Sequence, residues 1–511
     1  MSRSQALLDR LEQASDRLSP IVVKEVRQLA RGREFLYSFH FALLVGLIVA
    51  FFGAADALKG EGSSGRWTFA ALTVALGLLG FVVVPLGAFH ALRNERLEQT
   101  LELITLTALS PRRVVIGKLL AQGVKLATLF AGLAPFIAMS FLLGGVDFAT
   151  ILVSLLATFT WSLCASAACL FLSALVKSRA ASGVMFGAVT IVTLLGILVF
   201  GAPRAIYFMM MRGGMYGSPG VGTGPGGWGS WWSIALSTSL CLALLVNFVL
   251  LAENRLLRPS DNRSTALRLG FLAQLAVIAA LALTEPGSTW SGAGQPLLGF
   301  GAIHLAVVAA FTVTEDLGLP RRVMLARQAL PPWRRVLAPL QPGGGNGALY
   351  VLLQMAALLL LGWALQTDGT MLQWFVIACG YICVFTGAPV VLFRAVRPGE
   401  SASFRLRIAL LVVLAGAMVV PDVLAYMLWQ PDGLDLSFSL RHLLNPFRAL
   451  ANIRYVSTPY RTLAELIAIT GGLAYVVLIR IGAGVVLDPA SVDPQDADSA
   501  ASEPGRANVL P

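Results

Sequence analysis

Residues 95–120 read ERLEQTLELITLTALSPRRVVIGKLL, a charged stretch between two long apolar runs. Through its first half an apolar residue recurs every three or four positions, which places one set of side chains on a single helix face: Leu97, Leu101, Ile104 and Ala108. Acidic residues recur with similar spacing on another face, about 120° away: Glu95, Glu98 and Glu102. The stretch therefore predicts a short amphipathic helix with a single-signed acidic face, which cannot cross a membrane.

The second half of the stretch begins with a break and a restart of the helix. Ser110 is a residue type that caps helix N-termini, and Pro111 suits the first helical turn. Arg112 and Arg113 then anchor the new helix at the lipid headgroups, and Lys118 lies where it enters the bilayer. The chain is thus expected to leave the membrane, run along its surface and re-enter. This pattern is compatible with either a solvated surface helix or a helix that docks on a partner.

The composition places this stretch in a polytopic membrane protein. Of the 511 residues, 57% are hydrophobic and 13% are charged, against about 25% charged in a soluble protein. The net charge of +11 is spread over short loops between apolar runs, which is typical of membrane topology signals and excludes a clustered nucleic-acid-binding domain. The five cysteines lie within apolar runs, which favours buried hydrophobic roles over metal binding. We expect no metal, no cofactor and no nucleic-acid partner.

Apolar runs long enough to cross a bilayer divide the chain into two membrane regions. A spanning helix needs about 20 mostly apolar residues, and about twelve such runs occur: 35–53, 67–91, 119–143, 148–176, 180–203, 231–252, 268–284, 296–314, 348–365, 371–393, 407–429 and 463–487. A polar linker at 253–267 separates a six-helix region at 35–252 from a second one at 268–487. Residues 1–34 are predicted to be a cytoplasmic amphipathic region. Residues 488–511, which are acidic and rich in Pro, Ala and Ser, are predicted to be a disordered tail.

The distribution of Lys and Arg predicts the orientation of the chain. They fall mainly on one set of alternate loops, which places the N-terminus in the cytoplasm of a multi-pass protein of the cell inner membrane. The loop 436–462 carries four arginines on the outer side and fits this rule badly. Residues 19–35, SPIVVKEVRQLARGREF, mix apolar and basic side chains directly before the first span. They predict a helix lying in the inner membrane interface, with docking on a partner as the alternative.

The charged stretch resembles the signature of ABC type-2, or exporter-type, permeases. In that family a run similar to E-R-E-x-G-T-L-E is followed by a turn similar to S-P and then by G-K. The matching residues are Glu95, Arg96, Glu98, Thr100, Leu101, Glu102, Ser110, Pro111, Gly117 and Lys118. Gln99 and Ala108 depart from the pattern, since the family often has Gly and Pro there. Residues 19–35 resemble the N-terminal elbow helix of the family, and the resemblance covers about residues 15–255.

The resemblance implies a function and a set of partners. In such permeases the loop after the second span carries a coupling helix that docks on a separate cytoplasmic ATPase subunit. The implied docking residues are Glu95, Glu98, Thr100, Leu101, Glu102, Ser110 and Pro111. An ATPase dimer, a homodimer or heterodimer of permeases, and ATP-driven export are also implied. The chain has no G-x-x-x-x-G-K-[ST] run, so we expect it to be no enzyme and another chain to bind ATP. The substrate and the role of the second six helices stay open.

Two ionisable residues within the predicted spans are candidates for an intramembrane function. Lys125 follows Lys118 by two helical turns on the same face, where snorkelling to the inner interface is favoured over contact with a substrate. Asp422 adjoins Pro421 inside a span, and a broken helix with a carboxylate can mark a transport site. An ion- or proton-coupled secondary carrier therefore stays open as an alternative function. An enzyme acting on lipid-linked substrates is disfavoured, because the histidines are scattered singly.

Overall fold

The regular elements of this protein are helices. A computed structural model describes most of the chain between residues 20 and 487, and in this described part every regular element is helical. This confirms the all-α prediction. The described residues are 20–58, 64–97, 110–144, 146–176, 187, 231–257, 261–283, 290–315, 337–396, 407, 410, 412–414, 416–417, 443, 445, 450 and 458–487.

The helices follow the apolar runs of the sequence and continue beyond them at several ends. A π-helical turn at Leu79–Val83 connects the helices Ser64–Leu78 and Val84–Leu97 shortly before Pro85, whose missing N–H interrupts the regular hydrogen-bond ladder. In chain order the helices are α1 (Pro20–Arg31), α2 (Arg33–Leu58), α3 (Ser64–Leu78), α4 (Val84–Leu97), α5 (Pro111–Leu142), α6 (Phe148–Ser173), α7 (Trp231–Leu256), α8 (Thr265–Leu283), α9 (Trp290–Thr312), α10 (Gly344–Ala364), α11 (Gly369–Val396) and α12 (Thr458–Leu487).

Ten helical segments of the described chain are long and apolar enough to cross a membrane. Each coincides with one of the predicted spans, and α3, the π-turn and α4 together form one of them, Ser64–Glu95. The two remaining predicted spans, 180–203 and 407–429, fall where only isolated positions are described. The prediction of a multi-pass helical membrane protein is therefore confirmed, and the count of twelve stays a prediction.

The chain divides into two compact units. One consists of Met1–Arg258 with Gly270–Gly287, and the other of Pro259–Leu269 with Ser288–Pro511. Most of α8 thus belongs to the first unit, while its first turn belongs to the second. The predicted linker at 253–267 lies around the first of these boundaries.

The first unit has an apolar core between α3, α5 and their neighbours, in which Phe69, Leu72, Leu126 and Leu129 are essentially inaccessible to solvent. Helix α2 covers this core with its small residues, which recur every three or four positions: Ser38, Ala42, Gly46, Ala50 and Gly53. Its large apolar side chains lie on the opposite, exposed face: Leu44, Leu47, Ile48 and Phe51. Small residues at helix contacts and large ones outside are the arrangement expected in lipid.

The second unit is held together by a close contact between α11 and α12. A Cβ atom added at Gly380 would lie 2.2 Å from Cα of Ala468, and one at Gly471 would lie 2.6 Å from the carbonyl oxygen of Gly380. Only glycine allows backbones to approach this closely. Two helical turns away, the hydroxyls of Thr386 and Tyr475 share a hydrogen bond of 2.7 Å between the same helices.

A buried arginine organises the start of α8 within the second unit. The side chain of Arg268 is fully buried and pairs with the carboxylate of Glu315 at 2.6 Å. Its guanidinium also donates to the carbonyl oxygens of Pro339, Gln341 and Gly343, at 2.6, 2.5 and 3.1 Å. Because these acceptors satisfy its terminal nitrogens, we assign Arg268 a structural role rather than a ligand-binding one.

Candidate functional site

The two ends of the charged stretch are described, and they lie at the facing ends of α4 and α5. Glu95 is in the last turn of α4, and α5 begins at Pro111. Ser110 takes the extended backbone conformation of an N-cap (φ −70°, ψ 141°), as predicted. Its side chain makes no capping bond; instead its carbonyl oxygen accepts from the backbone N–H of Arg113 at 2.9 Å. The predicted docking residues between these ends lie outside the described part: Glu98, Thr100, Leu101 and Glu102.

Lys118 joins three helices at this end of the first unit. Its Nζ atom lies 2.9 Å from Oε1 of Glu25 on α1 and 2.9 Å from Oε1 of Glu95 on α4. It also donates to the carbonyl oxygen of Ala91, again on α4, at 3.3 Å. An ammonium group has three protons, and each of these three oxygens can take one. We call Lys118, Glu25 and Glu95 the Lys118 clamp.

Burial decides how strongly the Lys118 clamp holds. The side chain of Lys118 is 2% exposed, that of Glu25 is 9% exposed and that of Glu95 is 17% exposed. Such a cluster contributes little net stability when intact, because three charges lose their hydration. Removing one partner is costly, because the others stay buried without compensation. The arrangement therefore resists separation of α1, α4 and α5 at this point.

Sequence reasoning matched Lys118 to a motif but did not find its partner Glu25. Glu25 precedes Lys118 by 93 positions, so no local spacing connects them. The sequence of α1, PIVVKEVRQLAR, nevertheless indicates a special role for Glu25, because it is the one acidic residue in an otherwise basic helix. Lys24 and Arg27 beside it are exposed, whereas Glu25 and Val22 are buried. A single acid on the apolar face of a basic helix indicates a buried cationic partner.

Lys125 lies two turns deeper on α5 and has quite different surroundings. It is 4% exposed, and a Cβ added at Gly87 of α4 would lie 3.3 Å from its Nζ and 3.5 Å from Oε1 of Gln122. Glu34, at the start of α2, interacts with Lys125 electrostatically. No hydrogen bond or ion pair links Lys125 to another described residue. The ammonium group is thus enclosed by the helix bundle beside a glycine.

The other predicted candidate residues add no further site within the part of the chain that the structure describes. Asp422 lies outside the described residues. Among the residues that are described, no group of three or more His, Cys, Asp or Glu side chains could hold a metal ion.

Comparisons with family models, with curated proteins and with solved structures found no match for this chain. The similarity to ABC type-2 permeases therefore rests on the sequence motif.

Proposed function

We propose that this protein is the membrane-spanning permease subunit of an ATP-driven ABC exporter, forming the translocation path and docking a separate cytoplasmic ATPase subunit. The observation that carries the proposal is the Lys118 clamp. It ties α1, the predicted elbow helix, to the end of the second span and to the start of the third. Residues 98–109, which contain most of the predicted coupling helix at 95–108, connect those same two ends.

The clamp supports a transmission role for the charged stretch. A force applied by a partner to residues 98–109 reaches α4 through Glu95 and α5 through Pro111. Because Lys118 pairs with Glu95, the two helix ends respond together instead of separating. Because Lys118 also pairs with Glu25, α1 follows them. A segment whose ends are linked by buried ion pairs suits the passage of ATPase movement into membrane helices.

The acidic face of residues 95–102 supports a basic or polar partner surface. Such a face is repelled by anionic lipid, so it favours the cytosolic side over the bilayer. An ATPase dimer presents two equivalent docking surfaces, whereas this chain has one E-R-x-E-x-T-L-E-like stretch. We therefore propose that a second permease, identical or related, completes the assembly in the cell inner membrane, with the N-terminus of each chain in the cytoplasm.

Co-purification tests this proposal. The tagged full-length protein is isolated in mild detergent, and accompanying chains are identified by mass spectrometry. The wild type is expected to retain a chain with a G-x-x-x-x-G-K-[ST] motif, and the Glu98→Lys/Glu102→Lys variant is expected to lose it. Asp493→Lys/Asp496→Lys, in the C-terminal tail, makes the same change of charge and is expected to retain it. Equal retention by both double variants would remove the docking assignment.

A secondary carrier is the second candidate, and the buried position of Lys125 favours it. An ammonium group enclosed within a membrane-spanning helix is the type of residue on which ion coupling depends. Vesicles that contain only this protein distinguish the two functions. Transport driven by an ion gradient without ATP, and lost in Lys125→Met or Asp422→Asn, would establish the carrier. Transport that requires the added ATPase would exclude it.

A further inference from the structure

Two sulfur atoms meet in the second unit, between α10 and α11. The thiol Sγ atom of Cys383 on α11 lies 3.9 Å from the thioether Sδ atom of Met355 on α10. Both residues are buried. They are 28 positions apart in the chain, so no local spacing connects them. The sequence alone therefore favoured a purely hydrophobic role for Cys383, and the contact with a second sulfur gives it another.

A third sulfur is available one helical turn away on α11. Cys379 precedes Cys383 by four positions, and residues with this spacing are neighbours on a helix surface. The same spacing allows two side chains of one helix to bind a single metal ion. The hydroxyl of Tyr475 on α12 interacts electrostatically with both thiols, so they lie near the same part of α12. We call Cys379, Cys383 and Met355 the sulfur cluster.

The separation of the two contacting sulfurs suits a shared metal ion. A thiolate binds a metal ion with a filled d shell at about 2.3 Å. An ion at about 2.3 Å from both sulfurs, which are 3.9 Å apart, makes an angle of about 116° between the two bonds. This angle is close to the roughly 120° of a trigonal site. Without an ion, the same contact is a weak hydrogen bond from the thiol to the thioether.

The ligand types and their surroundings select the ion. Thiolate and thioether sulfurs are soft ligands that favour Cu(I), whereas zinc sites use Cys, His and carboxylates. Helices α10 and α11 are both long and apolar enough to cross a membrane, and a net charge is costly in such surroundings. Cu(I) bound to one thiolate is neutral, whereas a divalent ion with the same ligands would keep a positive charge. Ligand softness and charge thus favour the same monovalent ion.

We propose that the sulfur cluster binds one Cu(I) ion. On binding, the S–H bond of Cys383 breaks, a Cu–S bond forms and the proton leaves to solvent, with no change in the oxidation state of the metal. Met355 contributes its neutral thioether, and Cys379 supplies the third sulfur as a neutral thiol. The ion joins α10 to α11. All three ligands belong to the second unit, so the inference stands or falls independently of ATPase docking by the first unit.

Anaerobic titration of the purified full-length protein with Cu(I) tests the inference. Copper is kept reduced with ascorbate and supplied as its coloured bicinchoninate complex, and the loss of colour measures the copper that each chain withdraws. The wild type is expected to withdraw one Cu(I) per chain. Cys383→Ala is expected to abolish this uptake. Met355→Leu, which nearly conserves volume, is expected to weaken it about tenfold or more. Cys169→Ala removes a buried cysteine from α6 instead and is expected to retain full uptake.

X-ray absorption at the copper edge identifies the atoms that bind the ion. Sulfur neighbours alone, at about 2.3 Å, are expected, and nitrogen or oxygen neighbours would overturn the sulfur site. A wild type that withdraws no copper would overturn the proposal and leave the contact between Cys383 and Met355 as packing. Unchanged uptake in both Cys383→Ala and Met355→Leu would place the copper at other thiols and overturn the site. If Cys383→Ala aggregates, Cys379→Ala replaces it and is expected to weaken uptake about tenfold or more.

Discussion

Replacing Lys118 by methionine is expected to destabilise the first unit by about 3–5 kcal/mol. Each of its two ion pairs has a separation of 2.9 Å, which corresponds to roughly 6 kcal/mol of attraction at an effective dielectric constant of about 20. Desolvation of three charges offsets most of this attraction in the native protein. The substitution removes the ammonium group that pairs both carboxylates, and the lost compensation sets the expected loss.

Unfolding in mixed micelles, with an increasing fraction of a denaturing detergent, measures this loss in the free energy of unfolding. Glu25→Gln is expected to cost less, roughly 1–2 kcal/mol, because Lys118 keeps its pair with Glu95. The triple variant Lys118→Met/Glu25→Gln/Glu95→Gln removes all three charges and is expected to recover most of the lost stability. Lys24→Met, at an exposed position of α1, serves as the control and is expected to stay within about 0.5 kcal/mol of the wild type. A stable Lys118→Met variant, or a triple variant no better than the single one, would refute the reasoning.

Three further substitutions are measured by the same unfolding method. Gly471→Ala is expected to cost roughly 1–3 kcal/mol, because its Cβ would lie 2.6 Å from a backbone oxygen of α11, whereas the adjacent Gly472→Ala has open space and is expected to be neutral. Arg268→Lys is expected to cost about 2 kcal/mol or more, because an ammonium group cannot reproduce the contacts of the guanidinium with four residues. Asp147→Ala at the N-cap of α6 is expected to cost about 1 kcal/mol and Asp147→Asn much less. Burial raises the pKa of Asp147, but hydrogen bonds from Thr150, from Ala149 and from its own N–H together lower it more. This contribution is therefore present above about pH 4 and declines as the pH falls through the lowered pKa.

Each of these expectations has an outcome that contradicts it. A loss at Gly471 no larger than that at Gly472 would show that the contact with α11 does not govern the effect, since helix propensity favours alanine at both positions. A fully stable Arg268→Lys variant would show that charge alone suffices at the start of α8. If the stability of the Asp147→Ala variant still follows the wild-type pH profile below about pH 4, another carboxylate is responsible for that profile.

The membrane helices were predictable because hydrocarbon imposes a length and a composition on any segment that crosses it. Every predicted span that falls in the described part coincides with a helix. The ends of the helices were less predictable from hydropathy. Hydropathy placed the apolar run at 119–143, whereas α5 begins at Pro111, where the Ser110–Pro111 pair predicted a helix start. The additional turns carry Arg112, Arg113 and Lys118, whose charges are accommodated outside the hydrocarbon or by protein partners, and hydropathy alone does not detect such turns.

The candidate site was predictable only in part. The motif singled out Glu95 and Lys118, which the structure brings together at 2.9 Å. It gave no indication of Glu25, because a pair between α1 and α5 depends on how the helices pack. Lys125 was expected to extend towards the interface, and the structure adds that its Nζ atom lies beside Gly87 of α4. What surrounds a side chain is set by distant residues, and the sequence near Lys125 does not contain that information.

Lys118 and Lys125 lie on one face of α5 two turns apart, so their different surroundings must come from the neighbouring helices. At the level of Lys118, α1 supplies Glu25 and α4 supplies Glu95, and the ammonium group is satisfied. At the level of Lys125, α4 presents Gly87, and a Cβ added there would lie 3.3 Å from the Nζ atom of Lys125. Both lysines therefore lie against α4. A force on residues 98–109 that shifts α4 along α5 would strain the clamp and change the surroundings of Lys125 at the same time.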